Sequence, residues 1–215
     1  MPTRTIPASH RSHITGRQPF ISGVRSIGHE SALERDFVTL CRFDPDGLGI
    51  EEQPVTINWT DADGRQRRYT PDFRVVRRNS TEIVEVKYRK DLWAKWSAYK
   101  PIYLVARDWA SRQGMRFRIA TDRRIRVPML VNAKRLLPRL HDPVAAETER
   151  RILGAIARLQ PISLSNLVEE LIDPELRAEV ILSAVWPLLA RRTIIADLDV
   201  EISGTSMLSV VGALR

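Results

Sequence analysis

The sequence comprises 215 residues, of which 43% are apolar, and it carries a formal net charge of +8 with a pI of about 10.2. This composition predicts a globular protein with a packed core, as one large domain or two small ones. No apolar run reaches the roughly 18 residues of a membrane span, and the polar N-terminus does not resemble a signal peptide, so we expect a cytoplasmic protein. The single cysteine, Cys41, excludes an internal disulfide and a cysteine-rich zinc site, and we expect its side chain to be buried.

The positive charge is concentrated in the N-terminal two thirds of the chain. Residues 144–215 contain seven basic and ten acidic residues, so the part before Val144 has a net charge of +11. Such an excess favours a polyanionic partner, because basic side chains neutralise phosphates and release their counterions. A surface charged only for solubility is the alternative interpretation.

The chain begins with a predicted basic arm, residues 1–28, which has little periodicity. Ser31 and Glu34 have the spacing of a capping box, and apolar residues recur at helical intervals until the sequence DPDG at 44–47. This pattern predicts an amphipathic helix. Glu34 lies beside its apolar stripe.

Three strands are predicted next. Residues 51–60 (EEQPVTINWT) form the first, residues 61–64 (DADG) form a turn, and residues 69–87 (YTPDFRVVRRNSTEIVEVK) contain two more strands around Asn79-Ser80. After helical segments, in which Pro101 fits a first turn and Gly114 a C-terminal cap, residues 115–120 alternate as a strand. The intervening helix makes this strand a parallel neighbour of the one containing Glu85. The fold class is therefore α/β with a mixed sheet.

The C-terminal part of the sequence has a different pattern of predicted elements, with consecutive helices followed by short apolar runs. Residues 128–140 form one more helix of the first domain, which we place at residues 29–143. Helices are then predicted at 145–159, 163–172 and 174–191, followed by two short apolar runs at 193–198 and 207–211. Three helices and a β-hairpin outline a small winged-helix-like domain at residues 144–215.

Three ionisable residues converge in the predicted hairpin. Asp72 precedes its first strand, and Glu85 and Lys87 share one face of the second, because strand side chains alternate. Phosphodiester hydrolysis requires an activated water and stabilised negative charge, which Mg²⁺ held by carboxylates provides, with Mn²⁺ as a possible substitute. Asp72 and Glu85 are candidate metal ligands with the Val86 carbonyl and Glu34, and Lys87 would orient or help deprotonate the water and stabilise the developing charge.

Each of these residues also has an ordinary structural interpretation. Glu34 could serve only as the partner in the capping box. Glu85 and Lys87 could lie on a solvated strand face, and Asp72 could be a turn residue. An aspartate followed at a distance by Glu-x-Lys is a weak signal by itself, and it gains weight from the flanking apolar residues, the preceding glutamate-bearing helix and the basic character of this region.

The motifs ESALERDFVTLCRFDPDG, EEQPVTI, YTPDF and IVEVKYRKDL occur in this order and spacing. This arrangement resembles the N-terminal catalytic domain of the TnsA-type transposon-end endonucleases, members of the restriction-endonuclease-like PD-(D/E)xK nucleases, over roughly residues 23–140. The resemblance implies a catalytic glutamate at Glu34, a metal-binding aspartate at Asp72, and the remaining motif positions at Glu85 and Lys87. Gln53 matches the family's QP pair and could equally be a packing residue.

The resemblance implies a magnesium-dependent endonuclease subunit of a heteromeric transposase, in the bacterial cytoplasm and associated with DNA rather than a membrane. Similar proteins cut near the 5′ ends of the element, a DDE-family transposase cuts and joins the 3′ ends, and an AAA+ ATPase regulator contacts the C-terminal domain. We expect phosphate contacts from residues close after the site, namely Arg89, Lys90 and Lys95. Trp93 and Trp96 are expected to be packing residues, and the acidic C-terminal domain is expected to contact protein rather than DNA.

Two other functions remain open at the level of sequence. A free-standing restriction or repair nuclease would use the same residues. A non-catalytic DNA-binding assembly subunit is disfavoured, because Glu34, Asp72, Glu85 and Lys87 are all present.

Overall fold

The computed structural model describes the backbone of residues 16–19 and 26–29 and, with side chains, residues 31–211. It divides into two compact units, Met1–Arg126 and Val127–Arg215. Most of the predicted basic arm lies outside the described residues, but two strands within it, β1 (Gly16–Pro19) and β2 (Ser26–His29), pair antiparallel. In the described part of the chain, no helix has both the length and the apolar character needed to cross a membrane.

The first helix, α1 (Ala32–Phe43), confirms the capping prediction. The Ser31 Oγ accepts a hydrogen bond from the Glu34 N–H at 3.2 Å, which satisfies one of the donors that a helix start leaves unpaired. Leu33, Phe37 and Cys41 are buried on one face of the helix, in the core of the first unit. Burial raises the pKa of the Cys41 thiol to about 12, so this cysteine behaves as the small hydrophobe that the sequence predicts.

A four-stranded mixed sheet packs against α1 and forms the other side of this core. It contains β3 (Gly47–Glu52), β6 (Phe73–Arg77), β7 (Ser80–Lys87) and β8 (Arg116–Thr121), in the order β3-β6-β7-β8. The first three strands are antiparallel neighbours, whereas β7 and β8 are parallel. Helices α2 (Arg89–Ala94) and α3 (Trp96–Arg112) supply the crossover, and α4 (Asp122–Ile125) follows β8. The predicted mixed sheet is confirmed.

The prediction of one continuous strand over residues 51–60 is wrong. The chain leaves the sheet at Gln53, whose φ of 43° is left-handed, and Pro54 follows without a backbone N–H for the ladder. Residues beyond this break form β4 (Ile57–Thr60), which pairs with β5 (Gln66–Tyr69) as a separate two-stranded sheet around the predicted turn.

Pro101 also departs from prediction, because it lies inside α3 rather than in a first turn. A proline there removes one backbone hydrogen bond of the helix. The helix continues because its side chains pack: the Tyr99 ring stacks on Tyr103 at 5.6 Å between centroids, and Trp96 lies 6.5 Å from the same ring. Gly114 follows the end of α3 with a φ of +70°, as the predicted C-terminal cap requires.

The second unit consists of helices followed by short strands. Its helices are α5 (Pro128–Leu136), a 3₁₀ turn (Leu137–Arg139), α6 (Ala146–Leu159), α7 (Leu164–Leu171) and α8 (Ala178–Ala190). Its strands are β9 (Ile162–Ser163), β10 (Ile194–Ile195) and β11 (Met207–Val210), which form an antiparallel sheet in the order β10-β11-β9. The predicted C-terminal hairpin therefore forms, and a third short strand joins it.

Helix α5 belongs to the second unit, although the sequence places a domain boundary later, between residues 143 and 144. The reason is Asn132, which is fully buried on α5. Its Nδ2 donates hydrogen bonds to the carbonyls of Leu198 and Val200, at 3.0 and 2.7 Å, and its Oδ1 accepts one from the Ile202 N–H at 3.0 Å. One amide side chain thus holds the loop between β10 and β11 against α5.

Replacing Asn132 with alanine is expected to lower the free energy of unfolding of the second unit by about 2–4 kcal/mol, because the substitution leaves buried backbone groups without partners. Thermal or urea denaturation measures this loss. Asn166→Ala, on the exposed side of α7, is the matched control and should stay within roughly 0.5 kcal/mol of wild type. Equal stability of the two variants would contradict the assigned role of Asn132.

Candidate active site

The register of β6 and β7 places Asp72 and Glu85 beside each other. Phe73, the first residue of β6, pairs with Val84, so the next facing positions are Asp72, just before β6 begins, and Glu85. There the Asp72 Oδ2 accepts a hydrogen bond from the Val86 N–H at 2.7 Å, and the Asp72 carbonyl accepts one from the Gln53 N–H at 2.8 Å. Asp72 is thus fixed through both its side chain and its backbone.

The same contacts locate two further predicted residues. Gln53 supports Asp72 through its backbone, which is a structural role for this position. Because a strand residue directs its N–H and its C=O toward the same neighbouring strand, the Val86 carbonyl lies on the Asp72 side of β7.

The Glu85 side chain is buried, with 4% of the residue exposed, and both of its oxygens have partners. Its Oε2 accepts a hydrogen bond from the Tyr69 hydroxyl at 2.6 Å. Its Oε1 lies 2.9 Å from the Lys87 Nζ and 3.4 Å from the Tyr103 hydroxyl. The Lys87 ammonium also lies over the Tyr99 ring, 5.6 Å from its centroid. The structure therefore brings Glu85 and Lys87 into direct contact.

The electrostatics of the site are dominated by Asp72. Burial raises the pKa of Asp72 well above 3.8, and the charges of Glu85 and Glu34 raise it further. The Val86 N–H and the Lys87 ammonium act in the opposite direction without cancelling this effect. Burial and the neighbouring carboxylates thus both disfavour the charged form of Asp72, and a bound cation would favour it.

Lys87 keeps its proton in this arrangement. Burial tends to lower the pKa of Lys87, but the neighbouring Glu85 and Asp72 outweigh burial and raise it above 10.5. The side chain is therefore a cation at neutral pH. This state suits it to stabilise negative charge and to orient a water molecule, more than to accept a proton.

Tyr69 and Tyr103 were missed by sequence reasoning. Burial, followed by the charge of Glu85, raises the pKa of both phenols, so each remains protonated and donates a hydrogen bond to that carboxylate. Tyr69 stands in the YTPDF motif and ends β5, three residues before Asp72, so the motif contained the signal. Tyr103 lies on α3, distant in sequence, and only the crossover brings it to the site.

Glu34 interacts with two residues, through a hydrogen bond to Ser31 and through its charge on Asp72. Its Oε1 accepts a hydrogen bond from the Ser31 hydroxyl at 3.0 Å, a structural contact at the helix start that differs from the backbone N–H partner of a standard capping box. Its charge also contributes to the raised pKa of Asp72. Among residues 31–211, however, no group of three or more His, Cys, Asp or Glu side chains is arranged to hold a metal ion.

The donor chemistry nevertheless suits a hard divalent cation. Asp72 and Glu85 offer carboxylate oxygens and Val86 offers a backbone carbonyl beside the start of β6, and oxygen ligands of these types are the ones that Mg²⁺ and Mn²⁺ prefer. The charges of Glu85 and Glu34, which act on Asp72, have the sign that a cation would offset. The oxygen donors of Asp72, Glu85 and Val86 fit such an ion, and the charge of Glu34 also acts on Asp72.

The predicted phosphate-contacting residues follow the site directly. Arg89, Lys90 and Lys95 are exposed on or beside α2, and the Arg89 N–H donates a hydrogen bond to Asp122 Oδ1 at 2.6 Å. This bond ties the start of α2 to the residue that follows β8. The basic side chains therefore project from an anchored segment close after Lys87.

Of the expected core or packing role, only the packing part holds for Trp93, because its ring lies against Trp96 but outside the core. This side chain is 64% exposed, and Trp96 is 38% exposed, with their ring centroids 6.4 Å apart. Trp96 also contacts Tyr103, so the pair covers the outside of the aromatic cluster at the site. The helix α2 is short and none of its residues is buried, which leaves Trp93 in solvent.

The raised pKa of Asp72 predicts a stability effect. A carboxyl group whose pKa is higher in the folded protein destabilises the fold above that pKa, and the penalty disappears as the pH falls toward the ordinary value of 3.8. In EDTA at pH 7.5, Asp72→Asn should therefore unfold at a higher temperature than wild type, and the difference should shrink toward pH 4. The exposed Asp108→Asn is the control and should show no such gain. A lower melting temperature for Asp72→Asn at pH 7.5 would contradict the electrostatic description of the site.

Comparison with known proteins is consistent with this geometry. Residues 44–122 match the family model described as TnsA-like endonuclease N terminal. The segment contains Gln53, Asp72, Glu85 and Lys87, whereas Glu34 precedes it. The comparison with curated proteins gave no match. Residues 44–122 are thus similar to TnsA-like endonuclease N-terminal domains, and this match supports the resemblance of the chain to the TnsA-type transposon-end endonucleases.

Proposed function

We propose that this protein is the metal-dependent DNA endonuclease subunit of a heteromeric transposase. It would cut near the 5′ ends of a transposon while a DDE-family partner processes the 3′ ends. The observation that carries the proposal is the placement of Asp72 beside the Glu85–Lys87 ion pair at the start of β6, within a segment that matches the TnsA-like endonuclease domain. We place it in the cytoplasm, associated with DNA.

In this proposal Asp72, Glu85 and the Val86 carbonyl would hold Mg²⁺ or Mn²⁺, with Glu34 as a further carboxylate. When bound, the ion supplies an activated water and balances charge on the phosphoryl oxygens. The protein's own groups prepare the site for that chemistry. Tyr69 and Tyr103 fix the orientation of Glu85 through their hydroxyls, and the Val86 N–H fixes Asp72.

Lys87 supplies a permanent positive charge at the reacting centre. Its ammonium lies 2.9 Å from Glu85 and keeps its proton at neutral pH, so it can position an attacking water and stabilise the charge that develops on the phosphate. Arg89, Lys90 and Lys95 would hold the adjacent backbone phosphates and set the register of the duplex.

For the second unit we propose a winged-helix-like docking domain. The order α6, β9, α7, α8, β10, β11 and the sheet order β10-β11-β9 support this architecture. In such a domain α8 would occupy the position that reads DNA, yet its sequence AEVILSAVWPLLA contains no lysine or arginine. A surface of this kind favours protein contact over phosphate contact.

A groove on the same unit supports protein docking. It has a volume of about 540 Å³, and its lining includes the acidic Glu169 and Glu170, of which Glu170 pairs with Arg158, and the apolar Leu159 and Met207, which are 37% and 49% exposed. Acidic and apolar groups together suit a basic segment of a partner protein better than a nucleic acid. We assign this unit to contact with an AAA+ ATPase regulator, in line with the family resemblance.

The catalytic assignment predicts the behaviour of two substitutions. With Mg²⁺ and the partner transposase, Glu85→Gln and Lys87→Ala should each reduce 5′-strand cleavage at element ends by roughly 100-fold or more, because each removes charge from the reacting centre. Gel analysis of end-labelled plasmid DNA measures both strands separately, and 3′-strand processing should persist. Wild-type activity should be lost in EDTA.

Matched controls are available on exposed positions. Glu175→Gln and Lys100→Ala change the same residue types away from the site and should cleave as wild type does. Full 5′ cleavage by Glu85→Gln would overturn the site assignment. Efficient cleavage by the chain alone, without the partner, would instead favour a free-standing nuclease.

A further inference from the structure

The strands β4 and β5 form a two-stranded ribbon, residues 57–69, that stands outside the main sheet. Ile57 pairs with Tyr69, and Asn58 pairs with Arg68. In an antiparallel pair, directly opposite residues share a face and alternate residues change face. The ribbon therefore has two faces of different chemical character.

Three of the four inner-face residues are buried or partly buried, whereas the fourth, Arg67, is exposed, and the outer face is entirely exposed. Ile57 is 4% exposed, and Trp59 and Tyr69 are partly buried beside it. The outer face consists of the exposed residues Asn58, Thr60, Gln66 and Arg68. These four side chains carry an amide, a hydroxyl, a second amide and a guanidinium. Asparagine, glutamine and arginine are the residues whose paired donors and acceptors match the edges of bases.

The ribbon is held rigid at its tip. The Asp61 Oδ1 accepts hydrogen bonds from the N–H groups of Asp63 and Arg65, at 3.0 and 2.9 Å, and its Oδ2 accepts one from Arg67 Nε at 2.7 Å. Gly64 permits the turn with a φ of +77°. A fixed backbone presents the outer face in one conformation, which reduces the entropic cost of recognition.

The base of the ribbon is joined to the reacting centre. Tyr69, the last residue of β5, donates its hydroxyl hydrogen bond to Glu85 at 2.6 Å. Arg68 directly precedes Tyr69, and Gln66 is three positions from it, so the outer-face residues of β5 lie within roughly 10 Å of the ribbon's anchor. This length corresponds to about three base-pair steps of duplex DNA.

We propose that the outer face of this ribbon reads base edges in the major groove of double-stranded DNA beside the cleaved bond. This inference rests on the proposed endonuclease function and specifies its substrate. The major groove, about 12 Å wide, admits a two-stranded ribbon. Arg68 is suited to guanine, and Asn58 and Gln66 to adenine. The positive charge of the N-terminal part of the chain complements the duplex.

Base reading differs from phosphate contact in a measurable way. Removal of a base-reading side chain relaxes sequence preference at one position, whereas removal of a phosphate contact weakens binding uniformly and lowers the salt dependence. Arg89 and Lys90 serve as the phosphate-contact reference, because they are exposed on α2 and belong to no part of the ribbon.

The test is selection of bound duplexes from a pool with a random central segment, using the full-length chain. Wild type should enrich a short motif. The triple variant Asn58→Ala, Gln66→Ala, Arg68→Ala should lose about 10-fold or more of the preference for that motif over random sequence. Arg68→Lys should lose its guanine preference by roughly 10-fold while its salt dependence stays as in wild type. Arg89→Ala with Lys90→Ala should bind more weakly but keep the motif.

Folding is checked by circular dichroism and thermal melting, and Arg112→Ala, exposed at the end of α3, is the remote control. An unchanged motif in the triple variant, or no motif for wild type, would overturn the proposal. Cleavage of the selected duplexes with Mg²⁺ and the partner is scored separately. A ribbon-dependent motif without any cleavage would contradict the proposed endonuclease and leave the ribbon's role intact, whereas cleavage with unchanged sequence preference would contradict only the ribbon.

Discussion

The hydrogen bond from the Val86 N–H to the Asp72 carboxylate is the contact on which the candidate site depends. It forms just before β6 begins, so a side-chain oxygen takes the place of the next backbone acceptor in the ladder. This substitution holds Asp72 next to Glu85 and places two carboxylates beside the start of β6. Carboxylates so placed repel each other, and this repulsion adds to burial, the larger cause, in raising the pKa of Asp72.

The rest of the first unit compensates for this repulsion. Two tyrosine hydroxyls and the Lys87 ammonium surround Glu85, and each comes from a different element: β5, α3 and β7. The crossover helix is therefore part of the site as well as a connection between parallel strands. The repulsion between the two carboxylates lowers the stability of the fold, and a cation bound between them would reduce that repulsion.

Much of this arrangement could be predicted from the sequence, because it follows from local periodicity. The alternation in β6 and β7 gives the register of Asp72, Glu85 and Lys87, and the helix between Glu85 and Phe117 requires parallel strands. The strand break could not be predicted, because a left-handed conformation at Gln53 is unusual for a residue other than glycine. The other two differences between the predicted and observed elements result from tertiary contacts. The rings that pack on Tyr103 stabilise α3 on both sides of Pro101, and the hydrogen bonds of the buried Asn132 attach α5 to the second unit.

Glu34 illustrates the limit of motif reasoning. One side chain accepts the Ser31 hydrogen bond and also acts electrostatically on Asp72, so a structural contact and an electrostatic effect on the candidate site coexist in one residue. The helix start positions the carboxylate. Glu34 lies before the segment that matches the family model, so the match does not include it.

The most direct test of the candidate site is calorimetric titration of the full-length protein with Mn²⁺ at pH 7.5. We expect saturable binding to wild type and at least 10-fold weaker binding to Asp72→Asn, because the substitution removes the charge around which the other oxygen donors are arranged. Equal affinity of the two proteins for Mn²⁺ would contradict a metal site beside the start of β6.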